Sequence, residues 1–151
     1  MEIVKIEQQD YPAIVSLVAG ITAADVEPFF SEDDIAAQDT HFGQLMSQSI
    51  EATFDESQFV ALKICHQGEL IGFGAIRDGD YLTHLFVQSK EQGVGLGKKL
   101  LNTLISSSTS SDITLRSSVN AVSFYQDNGF VITGDKAREQ GIPFVPMALV
   151  R

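Results

Sequence analysis

Three β-rich runs separated by two short turn signals occupy the middle of the sequence, between residues 57 and 88. The first turn signal is His66-Gln67-Gly68 and the second is Asp78-Gly79-Asp80. Short glycine-containing connections of this kind join antiparallel strands into hairpins. The segment therefore predicts a meander of three antiparallel strands, and the fold of the chain has to be built around it.

A glycine-rich stretch, EQGVGLGKKLL, follows the third run over residues 91–101. The apolar face of the helix that it begins consists of Leu96, Leu100, Leu101, Leu104 and Ile105. A helix N-terminus presents unpaired N–H groups and a partial positive charge, and the three glycines allow a ligand to approach the backbone closely. We therefore expect a phosphate or pyrophosphate site here, with Lys98 and Lys99 adding charge.

Two common phosphate-binding motifs do not fit this stretch. A Rossmann fingerprint needs G-x-G-x-x-G within a parallel βαβ unit, whereas the spacing here is G-x-G-x-G and the preceding strands form hairpins. A P-loop needs Ser or Thr directly after Gly-Lys, and Gly97-Lys98 is followed by Lys99. The expected site therefore belongs to another class.

The N-terminal part of the sequence predicts one strand and two helical regions. The strand is EIVKIE, and the first helix starts at Tyr11, with Asp10 as a possible N-cap and Gly20 at its end. The second helical region is more loosely patterned and contains Ile35, Phe42, Leu45, Met46 and Ile50.

The C-terminal part alternates strands and helices. DITLRSS predicts a strand, NAVSFYQDNGF a short helix ended by Asn128-Gly129, and IPFVPMALVR a final strand. Because proline cannot donate to a ladder, Pro146 predicts that the final strand lies at a sheet edge or contains a bulge. The order of elements predicts an α/β fold around one mixed sheet.

Length, charge and cysteine content narrow the class of protein. At 151 residues one core buries about 70% of the surface of the unfolded chain, so we expect one domain over residues 1–151. The formal charge of −10 argues against binding to nucleic acid. With a single cysteine, Cys65, we expect neither a disulfide nor a metal. No apolar run of membrane-spanning length and no secretory signal are present, so we expect a cytoplasmic protein without membrane contact.

Read as Q-x-x-G-x-G from Gln92 to Gly97, the glycine-rich stretch resembles the acetyl-CoA signature of the GCN5-related N-acetyltransferase (GNAT) family. In that family a later helix carries a tyrosine shortly before a Gly-Phe pair, and NAVSFYQDNGF is similar, with Tyr125, Gly129 and Phe130. The resemblance extends from residue 57 to the C-terminus. It implies a single N-acetyltransferase domain, in which a mixed and mostly antiparallel sheet is flanked by helices on both faces.

The resemblance implies acetyl transfer from acetyl-CoA to an amine by direct attack in a ternary complex. In such a fold the strand YLTHLFV would diverge from DITLRSS, and the pantetheine arm would pair with the exposed backbone. The implied cofactor-binding residues are Leu85, Phe86, Val87, Gln92, Gly93, Val94, Gly95, Leu96, Gly97, Lys98, Asn120 and Tyr125. The family more often has Arg at position 92, so Gln92 shifts affinity toward Lys98, Lys99 and the backbone amides.

Two proton transfers are implied by the same resemblance. Tyr125 matches the general acid that protonates the leaving thiolate, since a phenol stays protonated at neutral pH. The base is expected on the strand before the glycine-rich stretch, where the candidates are Tyr81, Thr83 and His84. His84 has the most suitable chemistry, but its alternation with Leu82 and Phe86 predicts that it faces the helices instead of the acceptor. Water relayed to an acidic residue of the N-terminal half is the alternative, and His41 and His66 are weaker candidates.

The acceptor is expected to be a cationic amine. No Lys or Arg occurs between Lys5 and Lys63, whereas that segment is rich in carboxylates. A negative cleft would attract a protonated small molecule or a Lys-rich peptide. A non-catalytic module that binds acyl-CoA is the alternative function, and a homodimer through the apolar C-terminal strand is possible.

Overall fold

The computed structural model describes residues 2–26, 44–88, 95–139 and 142–151, and within them eight strands form one mixed sheet. The strands are β1 (Glu2–Lys5), β2 (Phe59–His66), β3 (Glu69–Arg77), β4 (Tyr81–Val87), β5 (Asp112–Ser117), β6 (Val131–Ile132), β7 (Ala137–Glu139) and β8 (Ile142–Val150). Their order is β1-β2-β3-β4-β5-β8-β6, and β7 also pairs with β8. Every pairing is antiparallel except that of β4 with β5. The predicted three-strand meander is thus confirmed.

Four helices cover the two faces of the sheet in the described part of the chain. They are α1 (Tyr11–Val26), α2 (residues 44–52), α3 (Leu96–Ser106) and α4 (Val122–Asp127). One core cluster joins the leucines of α3 and Tyr125 of α4 to the sheet, and the other joins α1 and α2 to it through Ile14 and Ile50. The predicted α/β fold, with helices on both faces of a mostly antiparallel sheet, is therefore confirmed.

Helix α3 packs on the sheet through the predicted leucine face, in which Leu96, Leu100, Leu101 and Leu104 are buried. Its close approach depends on Gly74 of β3. A Cβ at that position would lie 2.7 Å from Leu104 Cδ1 and 3.3 Å from Leu100 Cδ2, both on α3. Since both distances are shorter than ordinary van der Waals contact, a side chain at position 74 would push α3 away from the sheet.

The N-terminal region differs from its predicted pattern in two ways. Helix α1 does not end at Gly20 but continues to Val26, because a glycine ends a helix when it takes a positive φ and Gly20 does not. Asp10 closes a 3₁₀ turn before α1, and its Oδ2 accepts a bond from the Glu7 backbone N–H and another from Lys63 Nζ, each at 2.7 Å. In the second predicted helical region, Leu45, Met46 and Ile50 lie on α2, whereas Ile35 and Phe42 are outside the described residues.

The predicted edge position or bulge at Pro146 is wrong. Strand β8 has β5 on one side and β6 with β7 on the other. The carbonyl oxygen of Pro146 accepts a bond from the Thr133 N–H, so the proline nitrogen points to that same second side. On that side β6 pairs with residues 147 and 148 and β7 with residues 142–144, so the proline nitrogen faces the gap between these two short strands, where the ladder needs no N–H donor.

Within the described residues, no helix combines the length and the hydropathy that crossing a membrane would require.

Candidate active site

Strands β4 and β5 diverge from their single point of contact. Tyr81 pairs with Thr114, the Thr114 N–H donates to the Asp80 carbonyl at 2.9 Å, and no further pair joins the two strands in the described structure. The gap between them is a cavity of about 350 Å³. A wedge in the middle of the sheet thus exposes one edge of β4, as the sequence predicts.

Alternation of the backbone decides which groups of β4 face this wedge. The Gln88 N–H donates to the Ile71 carbonyl of β3 at 2.8 Å, so the N–H and C=O of Phe86, two residues earlier, are also directed to β3. Those of Leu85 and Val87 point the other way, into the wedge. Of the three residues predicted to offer backbone groups there, Leu85 and Val87 have the required direction and Phe86 does not.

Helix α3 begins at the open end of the wedge. Its N-cap, Gly95, has φ of +84°, a left-handed conformation that favours glycine. Gly97 lies against the ring of Phe124, which a Cβ would meet at 3.4 Å. Both glycines and the exposed Lys98 line a second cavity of about 530 Å³. The predicted residues Gln92, Gly93 and Val94 lie outside the described residues.

Helix α4 forms the wall that the two cavities share. Leu85, Val87, Asn120, Ala121 and Tyr125 line both, so the wedge and the α3 N-terminus form one continuous groove. The Tyr125 side chain is 8% exposed and packs edge-on against the rings of Phe124 and Phe130, with centroid distances of 5.2 and 5.6 Å. Its burial raises the pKa of the phenol above the ordinary value, so the hydroxyl stays protonated.

His84 lies on the other face of β4, at a β-bulge that the sequence did not reveal. His84 pairs with Ala75 and Leu82 with Ile76, so Thr83 between them is an extra residue that has no position opposite it in the register of β3. The bulge breaks the alternation of side chains. Leu82 packs with the α3 cluster, whereas the His84 ring contacts the tilted ring of Phe73, which belongs to the α1 and α2 cluster, at a centroid distance of 5.3 Å. The predicted shared face of His84 and Leu82 is therefore wrong. His84 packs toward α1 and α2, as predicted, but it also lines the wedge between β4 and β5.

Two hydroxyl groups bracket the His84 ring. Its Nδ1 lies 2.8 Å from Thr83 Oγ1, and its Nε2 lies 3.1 Å from Ser49 Oγ of α2. The ring is 8% exposed, and this burial lowers the pKa of His84 to about 4. At neutral pH the imidazole is uncharged, so one of its two nitrogens carries no proton and can accept one. His41 lies outside the described residues, and His66 lies at the far end of β2.

Several groove residues escaped the sequence analysis. The wedge is also lined by Arg116 and Ser117 of β5, by Ser118 directly after it and by Ala121, the N-cap of α4; the Arg116 guanidinium lies 4.8 Å from the centre of the Phe144 ring. The sequence pattern that could have indicated residues 116–118 is RSS, which stands at the end of the strand that diverges from β4. No local signal marks Ser49, whose contact with His84 spans 35 residues.

The groove combines features that suit a long ligand with a phosphorylated end. The edge of β4 at Leu85 is directed into the wedge and can pair with amides of the ligand, and a helix N-terminus beside Lys98 can take its phosphates. The protonated Tyr125 lies between these two parts. Together the two cavities are large enough for a cofactor-sized molecule.

Comparison with known proteins gives a consistent result. The acetyltransferase (GNAT) domain family matches residues 26–151. Similar solved structures include the PaiA N-acetyltransferase of Thermoplasma acidophilum in complex with coenzyme A, which is 18% identical with a TM-score of 0.75 and covers 99% of this chain and 98% of that chain. A GCN5-related N-acetyltransferase from Rhodopseudomonas palustris is 18% identical with a TM-score of 0.79, covering 99% and 95%. An aminoglycoside 6′-N-acetyltransferase complexed with coenzyme A is 16% identical with a TM-score of 0.67, covering 99% and 97%. No curated protein matches this chain.

Proposed function

The chain belongs to the GNAT family of acetyltransferases, and on that premise we propose that it transfers the acetyl group of acetyl-CoA to a primary amine within a ternary complex. The observation that carries the proposal is the wedge between β4 and β5, which runs from the exposed edge at Leu85 past Tyr125 to the N-terminus of α3. The whole of residues 1–151 is proposed to act as one domain. The cytoplasmic location and the homodimer stay predictions.

The donor would be held by backbone more than by side chains. Leu85 offers its edge of β4 to the pantetheine arm, and the amides from Gly95 to Lys98 face the pyrophosphate. When bound, acetyl-CoA supplies an activated thioester. Because Phe86 directs its N–H to β3, the backbone donor for the acetyl carbonyl oxygen is assigned to Leu85.

Tyr125 is proposed to donate a proton to the leaving sulfur. The raised pKa keeps the phenol protonated through the physiological range, which a general acid requires. Within the described part of the chain, no hydrogen bond of the phenol competes with this role. The position of Tyr125 in this groove supports an enzyme over a module that only binds acyl-CoA.

His84 remains the candidate that receives the proton of the attacking amine. Its low pKa leaves the ring neutral at pH 7, so one nitrogen can accept, but the same low pKa means that the buried ring does not retain the proton. The nitrogen of the acceptor becomes more acidic as it bonds to the acetyl carbon, and a weak base suffices at that stage. Water relayed to an acidic residue is the alternative route.

We infer a cationic acceptor from the charge of the sequence. The segment between Lys5 and Lys63 is net negative and contains α1 and α2, which cover the His84 face of β4, although only Asp25 and Glu51 of its carboxylates lie on these two helices. The aminoglycoside acetyltransferase among the similar structures is consistent with an amine acceptor. A protonated small-molecule or peptide amine would be drawn to such a surface, and salt would weaken the attraction.

An amine panel tests these proposals. Purified protein is incubated with acetyl-CoA and cationic, neutral or acidic primary amines, and the released thiol and the acetylated product are measured at low and high salt. Transfer that is fastest to cationic amines and slows with salt supports the proposal. Binding of acetyl-CoA in a thermal-shift assay without transfer to any amine would favour the non-catalytic module, and equal rates for acidic and cationic amines would refute the charge preference.

A further inference from the structure

Thr83, His84 and Ser49 form a continuous hydrogen-bonded chain. It begins on the bulge of β4, passes through the buried imidazole and ends on α2, with steps of 2.8 and 3.1 Å. Each hydroxyl also contacts a backbone carbonyl: Thr83 Oγ1 lies 3.2 Å from the Ala75 oxygen and Ser49 Oγ 2.8 Å from the Met46 oxygen. The chain therefore has a second acceptor at both ends.

These extra acceptors allow two arrangements of the neutral ring. In the first, Thr83 donates to Nδ1, Nε2–H donates to Ser49, and Ser49 donates to the Met46 carbonyl. In the second, Ser49 donates to Nε2, Nδ1–H donates to Thr83, and Thr83 donates to the Ala75 carbonyl. Both tautomers have complete hydrogen bonding, so an exchange between them leaves no ring nitrogen without a partner.

The two ends of the chain lie in different surroundings. Thr83 and His84 line the wedge, where the acceptor amine would meet the thioester, whereas the Ser49 residue is exposed on the surface of α2. The ring itself is surrounded by Phe73 and Phe86 and by the two hydroxyls. In the described part of the chain no charged group contributes to its titration, since burial is the sole cause of its shifted pKa.

We propose that Thr83, His84 and Ser49 form a side-chain relay that carries the proton of the acceptor amine from the wedge to solvent. This inference rests on the proposed function and adds two residues to it: Thr83, which takes the proton from the amine and passes one to His84, and Ser49, which acts through His84. The bulge is the structural reason for the relay, because the extra residue brings a hydroxyl next to Nδ1 on the strand that lines the wedge.

Each member of the relay accepts one proton and releases one. As the C–N bond forms, the amine proton passes to Thr83 Oγ1, the Thr83 hydroxyl proton passes to Nδ1, and the Nε2 proton passes to Ser49, which releases its own to water. The C–S bond breaks separately, with its electron pair leaving on the sulfur that Tyr125 protonates. After the products leave, water at the two ends restores the starting tautomer: Nε2 regains a proton through Ser49 and Nδ1 loses one through Thr83.

The test compares substitutions that break the chain with substitutions that keep its hydroxyls. Ser49→Ala breaks the relay at an exposed position where folding is preserved, and Ser49→Thr retains the hydroxyl. Ser47→Ala on the same helix is the matched control, since among the described residues no side chain forms a hydrogen bond with its hydroxyl, and the Tyr11 hydroxyl donates to its carbonyl at 3.3 Å. Thr83→Val and Thr83→Ser form the equivalent pair at the inner end.

We expect Ser49→Ala to lower kcat about 100-fold, the lower end of what a positioned proton-transfer group contributes, with the KM for acetyl-CoA unchanged. Ser49→Thr and Ser47→Ala should stay within about threefold of the native rate, and the solvent deuterium isotope effect on kcat should grow in Ser49→Ala because proton departure becomes limiting. If the native protein is active and both Ser49→Ala and Thr83→Val keep its kcat and its isotope effect, the relay alone is overturned. A native protein that acetylates no amine would overturn the proposed function, and the relay with it.

Discussion

Replacing Gly95 with alanine tests the link between the start of α3 and the donor site. Gly95 has φ of +84°, and a Cβ there would meet no atom within 4 Å, so the cost is conformational and not steric. The left-handed conformation costs a residue with a Cβ about 1–2 kcal/mol. In a domain of this length that loss lowers Tm by about 2–8 °C. Thermal or urea unfolding of the ligand-free protein measures it.

Gly68 provides a control with the same backbone strain and no part in the groove. It lies in the turn between β2 and β3 with φ of +78°, and a Cβ there would also meet no atom within 4 Å. Gly68→Ala should therefore lose as much stability as Gly95→Ala. Gly95→Asn should recover part of the loss, because asparagine tolerates this conformation better than alanine.

The two alanine variants should differ in their response to acetyl-CoA. At a ligand concentration of 100 times Kd, binding stabilises the native state by about 2.7 kcal/mol. If strain at Gly95 turns the first amides of α3 away from the pyrophosphate, Kd rises at least about tenfold and about 1.4 kcal/mol of that stabilisation is lost. Gly68→Ala should keep all of it. Equal acetyl-CoA affinities in the two variants would refute the assignment of the α3 N-terminus as the phosphate site.

Three further predictions concern the acid, the packing of α3 and the buried imidazole. Tyr125→Phe should lower kcat about 100-fold while leaving the KM for acetyl-CoA nearly unchanged, as thiol-release kinetics would show; native turnover in this variant would refute the acid role. Gly74→Ala should lower the free energy of unfolding in urea by about 1–3 kcal/mol, because its Cβ would lie 2.7 Å from Leu104 Cδ1. Gly20→Ala in α1 is the control: its Cβ would meet no atom within 4 Å, so it should raise the free energy of unfolding by up to about 1 kcal/mol. The pKa of His84 is lowered in the folded state to about 4, so below pH 6.5 the unfolded chain binds more protons than the folded one, and stability falls as the pH drops. Between pH 7.5 and pH 5 this residue should cost about 2 kcal/mol of unfolding free energy, and the loss should be absent in His84→Gln. An identical pH dependence of stability in both proteins would contradict the burial of a neutral ring.

The sequence predicts this fold well wherever structure follows from a local pattern. Gly68, Gly79 and Gly129 all have the positive φ that their turn or cap positions imply. The leucine spacing of α3 also produces the buried face expected of it. These features depend on residues within one turn of helix or one hairpin, which is the range over which sequence spacing carries information.

The predictions fail where the deciding contact is distant in sequence. Gly20 is compatible with either the end or the interior of a helix, and Pro146 fits an interior strand because two short strands leave an interval beside it. In the candidate site the position of Tyr125 follows from a motif, so it was predictable. The environment of His84 depends on a bulge and on Ser49 of another helix, so neither its orientation relative to Leu82 nor its partner was predictable.

The bulge at Thr83 also bears on how this strand tolerates insertions and deletions. The partners of Leu82 and His84, Ile76 and Ala75, are consecutive residues of β3. A chain without Thr83 would therefore form an unbroken ladder in which every other side chain keeps its partner and its face. Strand β4 can gain or lose this one residue without a shift in its register with β3. A single insertion or deletion can therefore add or remove the hydroxyl beside the imidazole.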